Sequence, residues 1–313
     1  MQTLRPVALQ LSPFSAYLES GLSARFEVIR WFELQPSEQA AWLSANASVV
    51  RAVVTGGQTG CSNELMLALP SLGLIALNGV GVDKIDIEFA RSRGVRVATT
   101  PGVLADDVAD LAVGLIIALL RDIPAGHRYV RAGDWVKGDL PLARKVTGLR
   151  FGIVGLGSIG ATLAARLAPF GPVAYTGPRR KPVPYDFHPD PLALAGASDV
   201  LILACPANAA TRGIVGASVL DALGPRGYLV NIARGSLVDE AALVAALADN
   251  RIAGAALDVF ENEPNVLETL RCSDRVLLTP HIGCATVETR TRMADVVLGH
   301  LDALLDGGVC AQR

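Results

Sequence analysis

Nothing in this chain of 313 residues provides for a polyanion, a bilayer or a disulfide framework. Lys and Arg number 28 against 30 Asp and Glu, a formal net charge of −2, so the basic excess that nucleic acid demands is missing. The longest strongly apolar stretch, Leu111–Leu120, falls far short of the ~20 residues that span a bilayer. The opening Met1-Gln-Thr-Leu-Arg-Pro6 lacks a charged, apolar and small-residue signal pattern. Cysteine is scarce: Cys61, Cys205, Cys272, Cys284 and Cys310 are scattered without paired spacing, which excludes a disulfide scaffold or a zinc knuckle as the organising element. Histidines number only four. There is no internal repeat and no low-complexity linker. The expectation is a cytoplasmic protein with reduced thiols, binding no nucleic acid, membrane or metal.

What is present is apolar residue, 51% of the chain and largely Ala, Val and Leu. That composition suits parallel strands covered by helices on both faces. The length allows about two domains. In the first part, short apolar runs alternate with helical stretches: Val7–Leu11, Phe26–Trp31, Val49–Thr55, Gly73–Leu77 and Val95–Thr99 read as strands, and Ser62–Leu69 and Ile85–Ser92 as helices. After Pro101-Gly102 a long helix is predicted. Its acidic Asp106-Asp107 start suits the helix dipole, and Leu111–Leu120 is apolar on nearly every side, which predicts an inter-domain or inter-subunit position.

About halfway along, the strand Phe151-Gly152-Ile153-Val154 runs into Gly155-Leu156-Gly157-Ser158-Ile159-Gly160 and then a helical pattern, Ala161–Phe170. A strand, a glycine turn and a helix in that order form the phosphate loop of a dinucleotide-binding fold. The first glycine makes the tight turn, the second lets the backbone approach a pyrophosphate, and the third lets helix and strand pack closely. The new helix N-terminus directs N–H groups at the phosphates. Alone, such a fingerprint could be an ordinary glycine turn. Here Val173–Thr176, Val200–Ala204, Gly227–Ile232, Ile252–Asp258 and Val276–Thr279 follow as further strands, with helices Ser218–Leu223 and Glu240–Asp249 between them. The last segment, Val287–Leu305, has helical spacing with Thr289, Arg290 and Arg292 on its polar side and is expected to pack back on the first domain.

Four polar residues fall just beyond predicted strand ends: Arg234, Asp258, Glu263 and His281. Ligands of open α/β sheets bind at that edge. Singly, each has an ordinary alternative: a surface ion pair for Arg234, a turn cap for Asp258, a solvated loop charge for Glu263, a satisfied core imidazole for His281. Together they suit reduction of a keto acid. Imidazolium can protonate a nascent alkoxide, a carboxylate on its other nitrogen orients it, and a guanidinium can grip an α-keto carboxylate through two parallel hydrogen bonds.

With these motifs in view, the chain resembles the D-isomer-specific 2-hydroxyacid dehydrogenases over nearly its whole length. The likeness rests on Asn78-Gly-Val-Gly-Val-Asp83, Thr100-Pro-Gly-Val-Leu-Ala-Asp-Asp-Val-Ala-Asp110, Gly155–Gly160, Asn231-Ile-Ala-Arg-Gly-Ser-Leu-Val-Asp-Glu240, Leu257-Asp-Val-Phe-Glu-Asn-Glu-Pro264 and Thr279-Pro-His-Ile-Gly283. Within the family it is most similar to the glyoxylate/hydroxypyruvate and hydroxyphenylpyruvate reductases, on residues 101–112 and 285–290; Ala105 departs from the threonine common in that subgroup. The resemblance implies an α/β fold of two Rossmann-like doubly wound parallel sheets. A flavodoxin-like substrate domain, 1–99 with 285–313, would hold an inserted NAD(P)-binding domain, 100–284. It implies Arg234, Glu263 and His281 as the catalytic set, with Val80 and Gly81 joining Arg234 and His281 on the substrate. The implied cofactor contacts are Gly155, Gly157, Ser158, Ile159, Gly160, Gly177, Arg179, Arg180, Cys205, Pro206, Thr211, Ile232, Ala233, Asp258 and Gly283. It also implies a homodimer with the helix after Pro101 in or near the contact.

The expected activity is therefore reduction of glyoxylate and hydroxypyruvate. The alternatives are a reductase of bulkier aromatic keto acids and a non-enzymatic, corepressor-like dinucleotide sensor. NADPH is expected over NADH. NAD-specific folds place an acidic residue at the end of the second strand, whereas here Val173-Ala-Tyr-Thr176 is followed by Gly177-Pro178-Arg179-Arg180-Lys181, with no carboxylate before Asp186.

Overall fold

The computed structural model describes residues 5–307. The chain divides into two units: residues up to Val103 together with those from Ala285 onward, and Leu104–Cys284.

The first unit is built on five short strands: β1 (Val7–Gln10), β2 (Glu27–Arg30), β3 (Val50–Gly56), β4 (Leu74–Asn78) and β5 (Arg96–Ala98). All pair in parallel, in the order β2-β1-β3-β4-β5, a doubly wound flavodoxin-like arrangement. β1 and β4 are buried along their whole length. Strands covered on both faces must be apolar throughout, which is why they read as unbroken runs rather than as alternation. One face packs against the final helix, Val287–Leu305, whose Val297, Leu298 and Leu301 join Leu18, Leu22, Ala52 and Leu74 in one core. Burying each such leucine is worth ~1.5–3 kcal/mol. Thr289 corrects the expected polar face of that helix. It is fully buried, its amide capped by the Thr286 hydroxyl and its own hydroxyl directed at the Val103 carbonyl.

The second unit carries seven strands: β6 (Phe151–Val154), β7 (Val173–Thr176), β8 (Asp186–Phe187), β9 (Val200–Leu203), β10 (Tyr228–Asn231), β11 (Gly254–Leu257) and β12 (Val276–Leu278). They form one sheet in the order β12-β11-β10-β9-β6-β7-β8, every pair parallel. This is the Rossmann order extended by one strand, and its direction of winding reverses between β6 and β9. β8, only two residues long, and the helices Pro191–Gly196 and Ile123–Arg131 lie outside the sequence-based expectation. The long helix is Ala105–Leu120. Val108, Ala109, Ala112, Leu115, Ile116 and Leu120 are buried, whereas Leu111, Val113, Ile117 and Leu119 are only half-buried. Its exposed positions, Asp106, Asp110 and Gly114, share one side of the helix. No helix among the described residues is long and apolar enough to cross a membrane.

Candidate active site

The phosphate loop is shaped by steric necessity. Gly155 has φ +97°, and a Cβ there would lie 2.7 Å from the Cys205 Cα; a Cβ on Gly160 would lie 2.0 Å from the Gly155 carbonyl oxygen. Only glycine permits both contacts. Gly157, in contrast, faces open space. It stands at the N-cap of the helix Ser158–Leu167, and no side chain caps that end. The amides of Ser158, Ile159 and Gly160 thus begin a helix whose first N–H groups have no intrahelical partner, the condition for receiving a phosphate.

Beyond β7, Gly177 is likewise open, and Arg179 and Arg180 are exposed. Lys181 behaves differently. Its backbone N–H donates to the buried Tyr175 hydroxyl at 2.6 Å, and its ammonium donates to the Leu156 carbonyl inside the phosphate loop. The run of three cations therefore splits into two exposed guanidiniums and one lysine tied back to the glycine loop. Across the switch point, the loop after β9 is stapled by Thr211, whose hydroxyl donates to the Pro206 carbonyl at 2.8 Å and accepts from the Asn208 N–H at 2.9 Å. Cys205 is half-buried, and burial pushes its thiol pKa up to about 11, which leaves it a poor nucleophile at neutral pH. These features suit a dinucleotide: an uncapped helix end for the pyrophosphate, and no carboxylate at the end of β7 to contest a phosphorylated ribose.

The polar set lies at the carboxyl ends of three adjacent strands. After β10, Asn231 folds the turn: its amide donates to the Arg234 carbonyl at 2.8 Å, and its oxygen accepts from the Ala233 N–H at 3.1 Å. Ile232 is buried beneath this turn, and the Arg234 guanidinium donates to the Ala233 carbonyl at 2.7 Å. After β11 come Asp258 and, in the following loop, Glu263, joined to Pro264 by a cis bond. After β12 comes His281, whose φ of +53° is the left-handed conformation. This is unusual for a residue with a Cβ.

Asp258 accounts for that conformation. Its carboxylate is 1% exposed and accepts three hydrogen bonds: from the Thr279 hydroxyl at 2.6 Å, the Ile282 N–H at 2.9 Å and the Gly283 N–H at 2.9 Å. Its carbonyl accepts the His281 N–H at 2.8 Å. Both sides of the histidine turn are thus anchored to one buried carboxylate. Glu263 completes the arrangement. One carboxylate oxygen accepts the Phe260 N–H at 2.9 Å, and the other lies 2.8 Å from His281 Nδ1. An ionised carboxylate only accepts, so Nδ1 carries the hydrogen, and Nε2 is the nitrogen left for proton transfer.

The structure therefore brings Glu263 and His281 into direct contact and places Arg234 and Asp258 at the same sheet edge. In the first unit, considered by itself, Val80 and Gly81 form an accessible turn just after β4. The Thr100 N–H donates to the Gly79 carbonyl at 2.9 Å there. Sequence reasoning overlooked Asn231, Thr279 and Glu240, all three inside the quoted motifs: Asn231 folds its own turn, whereas the partners of Thr279 and Glu240, the Asp258 carboxylate and the Glu261 N–H, are 21 residues away in sequence.

The family described as D-isomer specific 2-hydroxyacid dehydrogenase, NAD binding domain, matches residues 113–283. Similarity extends well beyond that segment. Hydroxyphenylpyruvate reductase of Plectranthus scutellarioides is 46% identical over 301 residues, covering 96% of each chain. The chain belongs to the D-isomer-specific 2-hydroxyacid dehydrogenase family. A glyoxylate/hydroxypyruvate reductase of Arabidopsis thaliana is 45% identical over 301 residues, again 96% of each chain. Among solved structures, the NADPH-dependent glyoxylate/hydroxypyruvate reductase of Sinorhizobium meliloti, in complex with NADP and malonate, superimposes with a TM-score of 0.89 at 40% identity, covering 96% of this chain and 94% of that one. As a member of this family the protein is an oxidoreductase that uses a nicotinamide dinucleotide.

Proposed function

We propose that this protein reduces small 2-keto acids, glyoxylate and hydroxypyruvate foremost, to glycolate and D-glycerate, with NADPH favoured over NADH. The observation that carries this reading is the His281–Glu263 pair, 2.8 Å apart, beside Arg234 on the next strand but one. The bound dinucleotide would supply the hydride. The residues do the rest. His281 Nε2 gives its proton to the oxygen that becomes the hydroxyl, and Glu263 holds the ring and balances the imidazolium. Arg234 takes the carboxylate of the keto acid. Asp258 and Gly283 keep the histidine turn in place beside the nicotinamide. By the family resemblance alone, the Val80-Gly81 backbone is read as a substrate contact.

The dinucleotide would lie along Gly155, Gly157, Ser158, Ile159 and Gly160, with Cys205, Pro206, Thr211, Ile232 and Ala233 alongside. Gly177, Arg179 and Arg180 would take the 2′-phosphate. The Sinorhizobium meliloti relative, NADPH-dependent and bound to NADP, supports that preference. The similarity to a hydroxyphenylpyruvate reductase favours a second reading, in which the side-chain pocket admits an aromatic ring. Steady-state kcat/KM for glyoxylate, hydroxypyruvate and hydroxyphenylpyruvate decides between them. A hydroxyphenylpyruvate value tenfold above the other two would overturn the first.

The protein is further read as a cytoplasmic homodimer. Cys61, Cys205, Cys272 and Cys284 are unpaired thiols, as in a reducing compartment; Cys310 lies outside the described residues. The segment after the long helix presents Val130, Trp135, Val136 and Leu142 to solvent, the last two 92% and 102% exposed. Such a display of large apolar side chains suits a subunit contact.

A further inference from the structure

The motif Asn231–Glu240 ends in a buried carboxylate that the proposed chemistry does not use. Glu240 is only 9% exposed and begins the helix Glu240–Ala248, where Asp239 already caps the Ala242 N–H at 3.0 Å. Capping is thus assigned to Asp239, and Glu240 serves another partner. Its carboxylate accepts the Glu261 backbone N–H at 2.8 Å. Glu261 is two residues from Glu263, in the loop that returns through the Phe260 N–H to the Glu263 carboxylate at 2.9 Å.

A second, independent contact joins the same two segments. Gly235, next to Arg234, lies so close to that loop that a Cβ would fall 1.8 Å from the Phe260 carbonyl carbon. The turn carrying Arg234 and the loop carrying Glu263 are therefore locked together twice, by close packing at Gly235 and by a charge-assisted hydrogen bond at Glu240. The helix N-terminus favours the negative charge that this bond needs.

We propose that Glu240 is a positioning residue for the acid–base pair: by holding the Glu261 amide it fixes where the Glu263 carboxylate meets His281 Nδ1. This rests on the reading of Glu263 and His281 as the proton-transfer pair. Without Glu240 the loop has one anchor fewer, and a displacement of about 1 Å at such a pair can cost up to ~100-fold in rate.

The test is a set of variants of the full-length enzyme assayed with NADPH and glyoxylate. Glu240→Ala is expected to lower kcat roughly tenfold or more, with the NADPH Kd from protein-fluorescence titration within about twofold of the parent. Glu240→Gln keeps an acceptor oxygen and is expected to restore most of the loss. In a cycle with Glu263→Gln, the Glu240→Ala substitution is expected to add little, because the pair it positions is already broken. Equal damage from Glu240→Gln and Glu240→Ala, or full additivity with Glu263→Gln, would show a role in stability alone and overturn the proposal, as would an undiminished kcat in Glu240→Ala. If His281→Ala and Glu263→Gln themselves leave kcat unchanged, the acid–base reading fails instead. Circular dichroism melts identify any Glu240→Ala sample that is unfolded, and in that event Glu240→Asp, whose shorter side chain draws the carboxylate back from the Glu261 N–H, takes its place in the same cycle: an undiminished kcat, or a loss that is fully additive with Glu263→Gln, overturns the proposal.

Discussion

Glu263 divides its two carboxylate oxygens between two donors: one takes the Phe260 N–H at 2.9 Å, the other His281 Nδ1 at 2.8 Å. An amide in its place has a single acceptor oxygen, so it cannot serve both. Glu263→Gln is therefore expected to lower kcat by roughly ten- to a hundredfold while leaving the NADPH KM nearly unchanged. His281→Ala removes the acid itself and should cut kcat by about 10²–10⁴-fold. Single-turnover reduction followed by NADPH absorbance measures both. A His281→Ala enzyme with near-parental kcat would sink the assignment.

Asp258 holds the histidine turn through three hydrogen bonds to a carboxylate that is 1% exposed. In Asp258→Asn, one oxygen is replaced by an NH₂ group, which would face a backbone N–H. The expected cost is ~1–3 kcal/mol of stability for the donor left unsatisfied, and His281 loses the anchoring that keeps it at φ +53°. Denaturant unfolding and kcat should therefore fall together. A stable variant with full turnover would mean that the turn is held by other contacts.

Much of this architecture was legible from sequence, and the rest was hidden for identifiable reasons. The buried strands announce themselves as apolar runs because helices cover both faces, and the glycine loop does so because Gly155 and Gly160 have no substitute. Arg234, Glu263 and His281 stood out as polar residues immediately after such runs. β8 did not, since Asp186–Phe187 is too short to show a period and is held by pairing with β7 and by the Tyr175–Phe187 ring contact at 5.4 Å. Pro124, in the first turn of Ile123–Arg131, reads as a breaker in sequence although proline is at home in that position. Glu240 and the tethering of Lys181 were missed because their partners, the Glu261 N–H and the Leu156 carbonyl, are brought close only by the tertiary fold.

Asp199 supplies a pH-dependent contribution to stability remote from the chemistry. Burial by itself would raise its pKa. The hydrogen bonds from the Arg150 side chain and backbone, with the Arg150 and Arg144 charges, outweigh burial and hold it below the ordinary carboxylate value. A depressed folded-state pKa stabilises above the unfolded value of about 3.9, and the benefit is lost as pH falls through the folded value. Asp199→Asn should thus be less stable than the parent at pH 7 by ~1 kcal/mol, a partly exposed network being worth little more. The gap should begin to narrow as the pH drops below about 4 and close only below the folded value. Urea melts at pH 7 and pH 3.5 measure it; a gap that is constant with pH would contradict the linkage.

The exposed Arg179 and Arg180 and the tethered Lys181 make separable contributions to cofactor choice. Arg179→Ala with Arg180→Ala removes two guanidiniums that no structural bond requires. NADPH kcat/KM is then expected to fall by at least tenfold, ~1.4 kcal/mol, through KM, with NADH barely affected, since contacts remote from the hydride act as uniform binding. Lys181→Ala should behave differently. It unties the turn after β7 from the Leu156 carbonyl of the phosphate loop, a loop that both cofactors share, so both KM values should rise together. Salt separates the two effects again. An exposed phosphate–guanidinium attraction is screened over ~10 Å at 0.1 M ionic strength, so the NADPH advantage of the parent should shrink as salt is raised from about 0.02 to about 0.5 M, roughly a fivefold shortening of the screening length, while the arginine variant should show a much flatter response. Equal use of NADPH and NADH by the parent at low salt would show that the basic turn is not a phosphate site.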